Sequence, residues 1–227
     1  MNKLKTEKPV NTKSKLMYRY IVFFIGITLN SIGIALMTKS NLGTSQISSI
    51  PYIVSLYFDK ISFGMATFLL NFIFFIIQIF ILKKNFKAKR FLQLPFIFIF
   101  GMLIDLDMKI LDLFDFSNIF IKIVALLIGC VILAFGISVE IAPDVVKIPG
   151  ESLVYTIADV KNIRFGTVKF IFDAVLVAVA VAFSIWAFGG IDFNTIGIGT
   201  ILSVLTVGKL VNLFEHKVSK IYSKFYN

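Results

Sequence analysis

The residues able to do chemistry in this chain are few, and they stand where a polar group is costly. Asp173 falls in "FGTVKFIFDA" (165–174), about seven residues into an apolar stretch, hence roughly 10 Å along a helix rising ~1.5 Å per residue. Glu140 closes another apolar run, and the insert that follows it, "IAPDVVKIPGES" (141–152), holds Gly150 and Glu151. An earlier insert, "MTKSNLGTSQISSIP" (37–51), offers Thr44 and Ser45, and single amides stand at Asn30 and Asn71 within apolar sequence. Polar and ionisable groups in hydrocarbon are functional candidates by default. Carboxylates there exchange protons or cations; hydroxyls, amides and helix N-termini hold polar solutes and anions. Two readings stand for Asp173: a proton- or cation-linked role, and an ion pair with Lys169 one turn back.

Other polar groups have a structural explanation. Asp105 and Asp107 lie in "GMLIDLDMKIL" (101–111), where Asp105 and Lys109 are spaced to pair on one helix face. Asn30 and Ser31 are predicted to hydrogen-bond to neighbouring helices, and Gly26, Gly33, Gly129 and Gly136, seven apart within each pair, predict close helix packing. One cysteine, Cys130, leaves no intrachain disulfide, and one histidine, His216, leaves no metal cluster. The chain has no Walker A loop, G-x-S-x-G, H-E-x-x-H or Rossmann fingerprint. No enzyme activity, metal or cofactor is expected.

The elements that must position these residues are membrane helices. Hydrophobic residues make up 58% of the 227, with 26 Phe, and mean hydropathy is +0.90. Six apolar stretches, near 18–38, 64–83, 92–113, 118–140, 166–188 and 194–214, are long enough to cross as helix. They are continuous rather than alternating, so a β-barrel is excluded and the fold class is all-α, a polytopic membrane protein. The net charge of +10 could suggest nucleic acid, but its distribution predicts topology instead. Basic residues cluster before Arg19, in "KKNFKAKR" (83–90), at Lys161 and Arg164, and after Glu215. With six spans all four clusters share one side, which makes that side and both termini cytoplasmic and sets the clusters against anionic lipid headgroups.

The chain also reads as a repeat. "IGITLNSIGIALM" (25–37) aligns with "IGCVILAFGISVE" (128–140), "FGMATFLLNF" (63–72) with "FGTVKFIFDA" (165–174), and "KILDLF" (109–114) with "KLVNLF" (209–214). Three spans per half would make the second half enter upside down, giving two inverted three-helix repeats over 18–114 and 118–214, with basic tails at 1–17 and 215–227. Each half carries a short segment after its first span. Thr44 and Ser45 offer caps for one at 44–57, and Pro149, Gly150 and Glu151 begin another at 149–160. Each is read either as a re-entrant half-helix or as a surface helix. If re-entrant, their N-termini aim free backbone N–H groups inward.

The glycine-spaced first span leading to "KSNLGTS", the "FGMLIDL" of the third, "IPGES" and "GIGTILSVLTVGKL" resemble the YczE/YyaS/YitT family of bacterial multi-pass membrane proteins over most of 19–214. The resemblance implies a bacterial plasma-membrane protein without an assigned biochemical activity. The leading expectation is a small-solute permease or transport component whose midplane site is lined by Asn30, Thr44, Ser45, Asn71, Glu140, Gly150, Glu151 and Asp173. The alternative is a non-transporting scaffold or regulator that binds a protein partner.

Overall fold

The computed structural model describes residues 12–226. It consists of eight α-helices: α1 Thr12–Lys39, α2 Gln46–Tyr57, α3 Phe63–Leu82, α4 Gln93–Leu111, α5 Ile119–Ile141, α6 Pro149–Lys161, α7 Phe165–Phe188 and α8 Ile198–Tyr226. Two short 3₁₀ turns, Lys83–Asn85 and Ala88–Leu92, join α3 to α4. There is no strand among the described residues. The six expected apolar stretches become α1, α3, α4, α5, α7 and α8.

Two boundaries differ from expectation. α1 begins at Thr12, so the segment read as a tail to residue 17 gives its last residues to the helix, while residues 1–11 lie outside the described residues. The C-terminal segment read as a tail from 215 instead continues α8 to Tyr226. Val218, Ile221 and Tyr222 keep a helical spacing, and neither Gly nor Pro interrupts the chain after Gly208.

Five helices are long and apolar enough to cross a membrane, with hydropathy reaching 2.7 in α5, and they mark an all-helical membrane protein. α4 is not among these five, because Asp105, Asp107 and Lys109 fall together in its final turns. Large apolar side chains point outward, among them Phe80, Phe170 and Trp186, a distribution suited to lipid rather than water.

The bundle is organised on α1 and α5, which run antiparallel and touch through glycines. A Cβ on Gly26 would lie 2.4 Å from the Glu140 amide nitrogen, on Gly33 2.6 Å from that of Leu133, and on Gly136 2.8 Å from that of Asn30. A Cβ on Gly129 would meet Gly33 O at 3.0 Å. Close packing therefore accounts for all four spaced glycines, as expected. α4 lies beside α1, α8 beside α5, and α3 on α4; the short α2 and α6 are each packed against both α3 and α7.

Named contacts define the two ends. At one, Arg19 donates from Nε and Nη2 to the Pro143 carbonyl (2.8 and 2.6 Å), and Tyr18 stacks on Tyr222. At the other, Lys39 pairs with Asp112, the Gly199 amide donates to Leu42 O (2.6 Å) and the Thr44 amide to Thr195 O (3.1 Å). Ser31 donates to Asp107 (2.6 Å), linking α1 to α4.

Asp105 does not pair with Lys109. Its carboxylate accepts from the Gly64 amide (2.7 Å) and Ser62 Oγ (2.6 Å), closing the N-terminus of α3 where Gly64 crosses Gly101. A helix N-terminus has unpaired N–H groups that a nearby carboxylate satisfies better than an exposed lysine satisfies the carboxylate. Asp105→Ala is expected to lose about 1–2 kcal/mol, read as a lower thermal midpoint in neutral detergent, whereas Asp105→Asn, which keeps an acceptor for Gly64, should lose less.

Candidate functional site

The polar interior converges on the first turn of α6. That turn forms because Ile148 is extended, Pro149 has the fixed φ of a first helical residue, and Glu151 places an acid in the first turn. The helix stops at Asn162, whose left-handed conformation (φ 53°) allows its amide to return to Asp159 O (3.2 Å). Ahead of it, the loop 142–148 is pinned by Arg19, which also donates to the Asp144 carbonyl (2.9 Å).

Glu140, fully buried at the end of α5, accepts from the Ile148 amide (3.0 Å) and from Asn30 Nδ2 (2.6 Å). Asn71, buried within α3, accepts from the Gly150 amide (3.3 Å) and donates to Thr67 O (3.0 Å). The expectation of free N–H groups facing the interior is therefore corrected for α6: Glu140 and Asn71 take two of the orphan donors, because buried backbone groups that a protein acceptor can reach are paired. Two acceptors remain without partners among the described residues, Asn30 Oδ1 and Glu151 Oε2. Glu151 also feels the charges of Lys169, Asp173 and Lys147.

The start of α2 reaches the same place. A Cβ on Gly150 would lie 2.3 Å from Ile47 Cδ1, the tip of a flexible side chain, so the first turns of α2 and α6 touch. Thr44 and Ser45 do not join the carboxylate group. Thr44 Oγ1 is 2.8 Å from Thr38 Oγ1, and Ser45, at the cap of α2, donates to Ser48 Oγ (2.7 Å). Asp173 is paired with Lys169 (2.6 Å), as the structural reading expected.

Sequence reasoning missed a second polar group one turn farther along α6. Arg90 Nη1 donates to Gln78 Oε1 (2.6 Å), Ser152 Oγ (3.1 Å) and Thr156 Oγ1 (3.1 Å). Gln93 Nε2 donates to Ser152 Oγ (3.1 Å), and Gln78 Nε2 to Pro149 O (3.3 Å). Burial pushes the Arg90 guanidinium below its usual range, against a pull upward from Asp159. The available signal was Gln78, the lone polar residue of "FIFFIIQIFIL" (72–82). Arg90 was counted with the loop charges that set topology.

Cavities open at both ends of the bundle. One of about 370 Å³ is lined by Lys87, Lys89, Arg90, Gln93, Asp144 and Lys147 and reaches Ser152. One of about 570 Å³, at the end marked by Thr195, is lined by Asn41, Tyr52, Leu56, Phe188, Asp192 and Asn194. The described residues contain no group of His, Cys, Asp and Glu suited to a metal.

No curated protein and no solved structure matches the chain, and no named relative supports the narrower resemblance to YczE/YyaS/YitT proteins. Residues 17–216, which span all eight helices except the first residues of α1 and the last of α8, match DUF6198, and the chain belongs to this family of unknown function.

Proposed function

We propose that the protein is a small-solute permease of six spans, built from two inverted three-helix halves, with its solute site where the first turns of α2 and α6 meet. The observation that supports this most directly is the register of α1 on α5. The repeat offset is 103 residues, 129 minus 26 and likewise 136 minus 33. Applied to the contact of Gly26 with Glu140, it yields Gly129 with Met37; applied to Gly33 with Leu133, it yields Gly136 with Asn30. Each pair is in contact, as a two-fold relating the halves in the membrane plane requires. The other packing follows: α1 with α4 corresponds to α5 with α8, and α2 with α7 to α6 with α3.

The halves part company at one interface. Gly64 meets Gly101 under the Asp105 cap, whereas the positions of α8 aligned with Gly101 and Asp105 are Ile201 and Leu205, and nothing approaches Gly166. In this reading α2 and α6 are re-entrant, and irregular backbone at their tips is tolerated because protein groups satisfy it. Glu140, Asn30, Asn71, Gly150 and Glu151 surround the site in this reading. Thr44 and Ser45 shape the α2 side, and the Lys169–Asp173 pair holds charge near Glu151. The end carrying Arg19, Lys87 and Lys161 is cytoplasmic by its positive charge, in a bacterial plasma membrane.

Uptake into proteoliposomes across a panel of small polar solutes tests the reading. A solute-specific flux that falls at least tenfold in Glu151→Gln combined with Asp173→Asn is expected. Flux unchanged by that pair removes the proposed site. Absence of flux for every solute, in protein that remains folded, favours the scaffold or regulator. Topology is checked by single cysteines in a Cys130→Ser background at Lys60, Asn118 and Asn194 against Lys87 and Lys161, which an impermeant thiol reagent should label from opposite sides.

A further inference from the structure

We propose that the cavity between the α3–α4 turn and the α5–α6 loop binds a phosphate-type oxyanion, with Arg90 as its fork and Lys87, Lys89 and Lys147 as the surrounding charge. The site is separate from the one between the α2 and α6 tips, and its occupancy does not depend on whether the protein transports anything.

Arg90 carries the inference. It is half-buried, and all three of its protein hydrogen bonds leave from one nitrogen, Nη1, toward neutral acceptors on Gln78, Ser152 and Thr156. Among the described residues its Nε and Nη2 have no acceptor, and it forms no ion pair; the two ion pairs present are Lys39 with Asp112 and Lys169 with Asp173. A guanidinium removed from water is normally matched by a carboxylate, because the loss of hydration has to be offset. Here it is instead oriented by amides and hydroxyls, and Asp159 attracts it without forming an ion pair. The unused N–H groups of a planar fork suit two oxygens of one phosphate.

The rest of the lining agrees in sign. Lys87, Lys89, Arg90 and Lys147 face a single carboxylate, Asp144, which leaves the cavity net positive by three. Lys87 and Lys89 are exposed, and Lys147 lies over the Tyr155 ring at 3.9 Å; among the described residues it forms no salt bridge, although Glu140 and Glu151 lie within reach of its charge. Gln93 and Ser152 add neutral groups to the wall. A cavity of about 370 Å³ accommodates a phosphate group with part of whatever carries it. Two sources share this chemistry: free phosphate, and the headgroup of a phospholipid with an unsubstituted phosphate.

The test is thermal unfolding of the full chain in neutral detergent, titrated with inorganic phosphate at constant ionic strength. A parallel series adds phosphatidic acid in mixed micelles, with phosphatidylcholine as control. A saturable rise in midpoint is expected for at least one phosphate source and not for chloride or phosphatidylcholine. Arg90→Gln should weaken it at least tenfold, and the exposed pair Lys87→Gln with Lys89→Gln several-fold. A shift with phosphatidic acid alone assigns the site to a lipid headgroup, and a shift with both assigns it to the phosphate group itself. If Arg90→Gln fails to fold, the lysine pair decides. No shift from either source, a shift matched by chloride, or full affinity in the variants overturns the proposal.

Discussion

Gly26→Val should leave no folded protein to purify. A Cβ at this position falls 2.4 Å from the Glu140 amide nitrogen and 2.6 Å from its Cα, and neither obstacle can rotate away because both are backbone. The only relief is to separate α1 from α5. That also opens the contacts at Gly33, Gly129 and Gly136, since all four lie on one antiparallel seam. Overpacking a well-fitted core costs about 1–3 kcal/mol, and more where backbone must shift. Between helices in lipid no hydrophobic force restores the lost packing, because the acyl chains are as apolar as the side chains they replace. Gly26→Ala already introduces the clash and should lower the thermal midpoint by many degrees; valine adds two methyl groups and should give aggregate in place of a monodisperse peak on size exclusion. The same chain supplies the control. Nothing lies within 4 Å of a Cβ at Gly208, in the middle of α8, so Gly208→Ala should be neutral or slightly stabilising. Equal loss at 26 and 208 would show that helix propensity, not the seam, decides the outcome.

The use of the seam was legible in the sequence because glycines seven apart in apolar helix have one common use, but the sequence did not say that α1 and α5 pack on each other, which takes the folded chain to show. The start of α6 was legible for a local reason as well: Pro149, Gly150 and Glu151 are the residue types a helix N-terminus selects. Asp105 misled because the sequence shows neighbours along a helix but not the terminus of another helix lying beside it. Lys109 is four residues away, whereas Ser62 and Gly64 become adjacent only after α3 folds back on α4. The Gln78 and Arg90 group was hidden similarly. Its members come from four elements separated by up to 78 residues, 156 minus 78, and Arg90 by itself is one more cation in a basic loop. The helical continuation of the basic C-terminal segment was the less visible for its charge, although Val218, Ile221 and Tyr222 keep the helical spacing that continues α8.

Glu140→Ala is expected to be among the most damaging changes to a single polar side chain, and Glu140→Gln among the mildest. Alanine leaves two buried donors, the Ile148 amide and Asn30 Nδ2, facing a space that neither can fill. Each unsatisfied donor costs about 1–3 kcal/mol, so a loss of roughly 2–6 kcal/mol should appear as a large fall in thermal midpoint and a disordered approach to α6. Glutamine keeps an oxygen for Ile148 and turns an amide toward Asn30. A 180° flip of the Asn30 amide then presents Oδ1, the acceptor now lacking a partner, to that new donor. The number of hydrogen bonds is conserved, and the stability change should stay within about 1 kcal/mol. The contrast separates architecture from charge. If Glu140 serves only to seat the first turn of α6, solute flux in Glu140→Gln should follow its near-normal stability. If the ion itself takes part, flux should collapse while the thermal midpoint holds. A Glu140→Gln protein as unstable as Glu140→Ala would show that the carboxylate is held by something beyond Asn30 and Ile148, and would sink the account of how α6 is anchored.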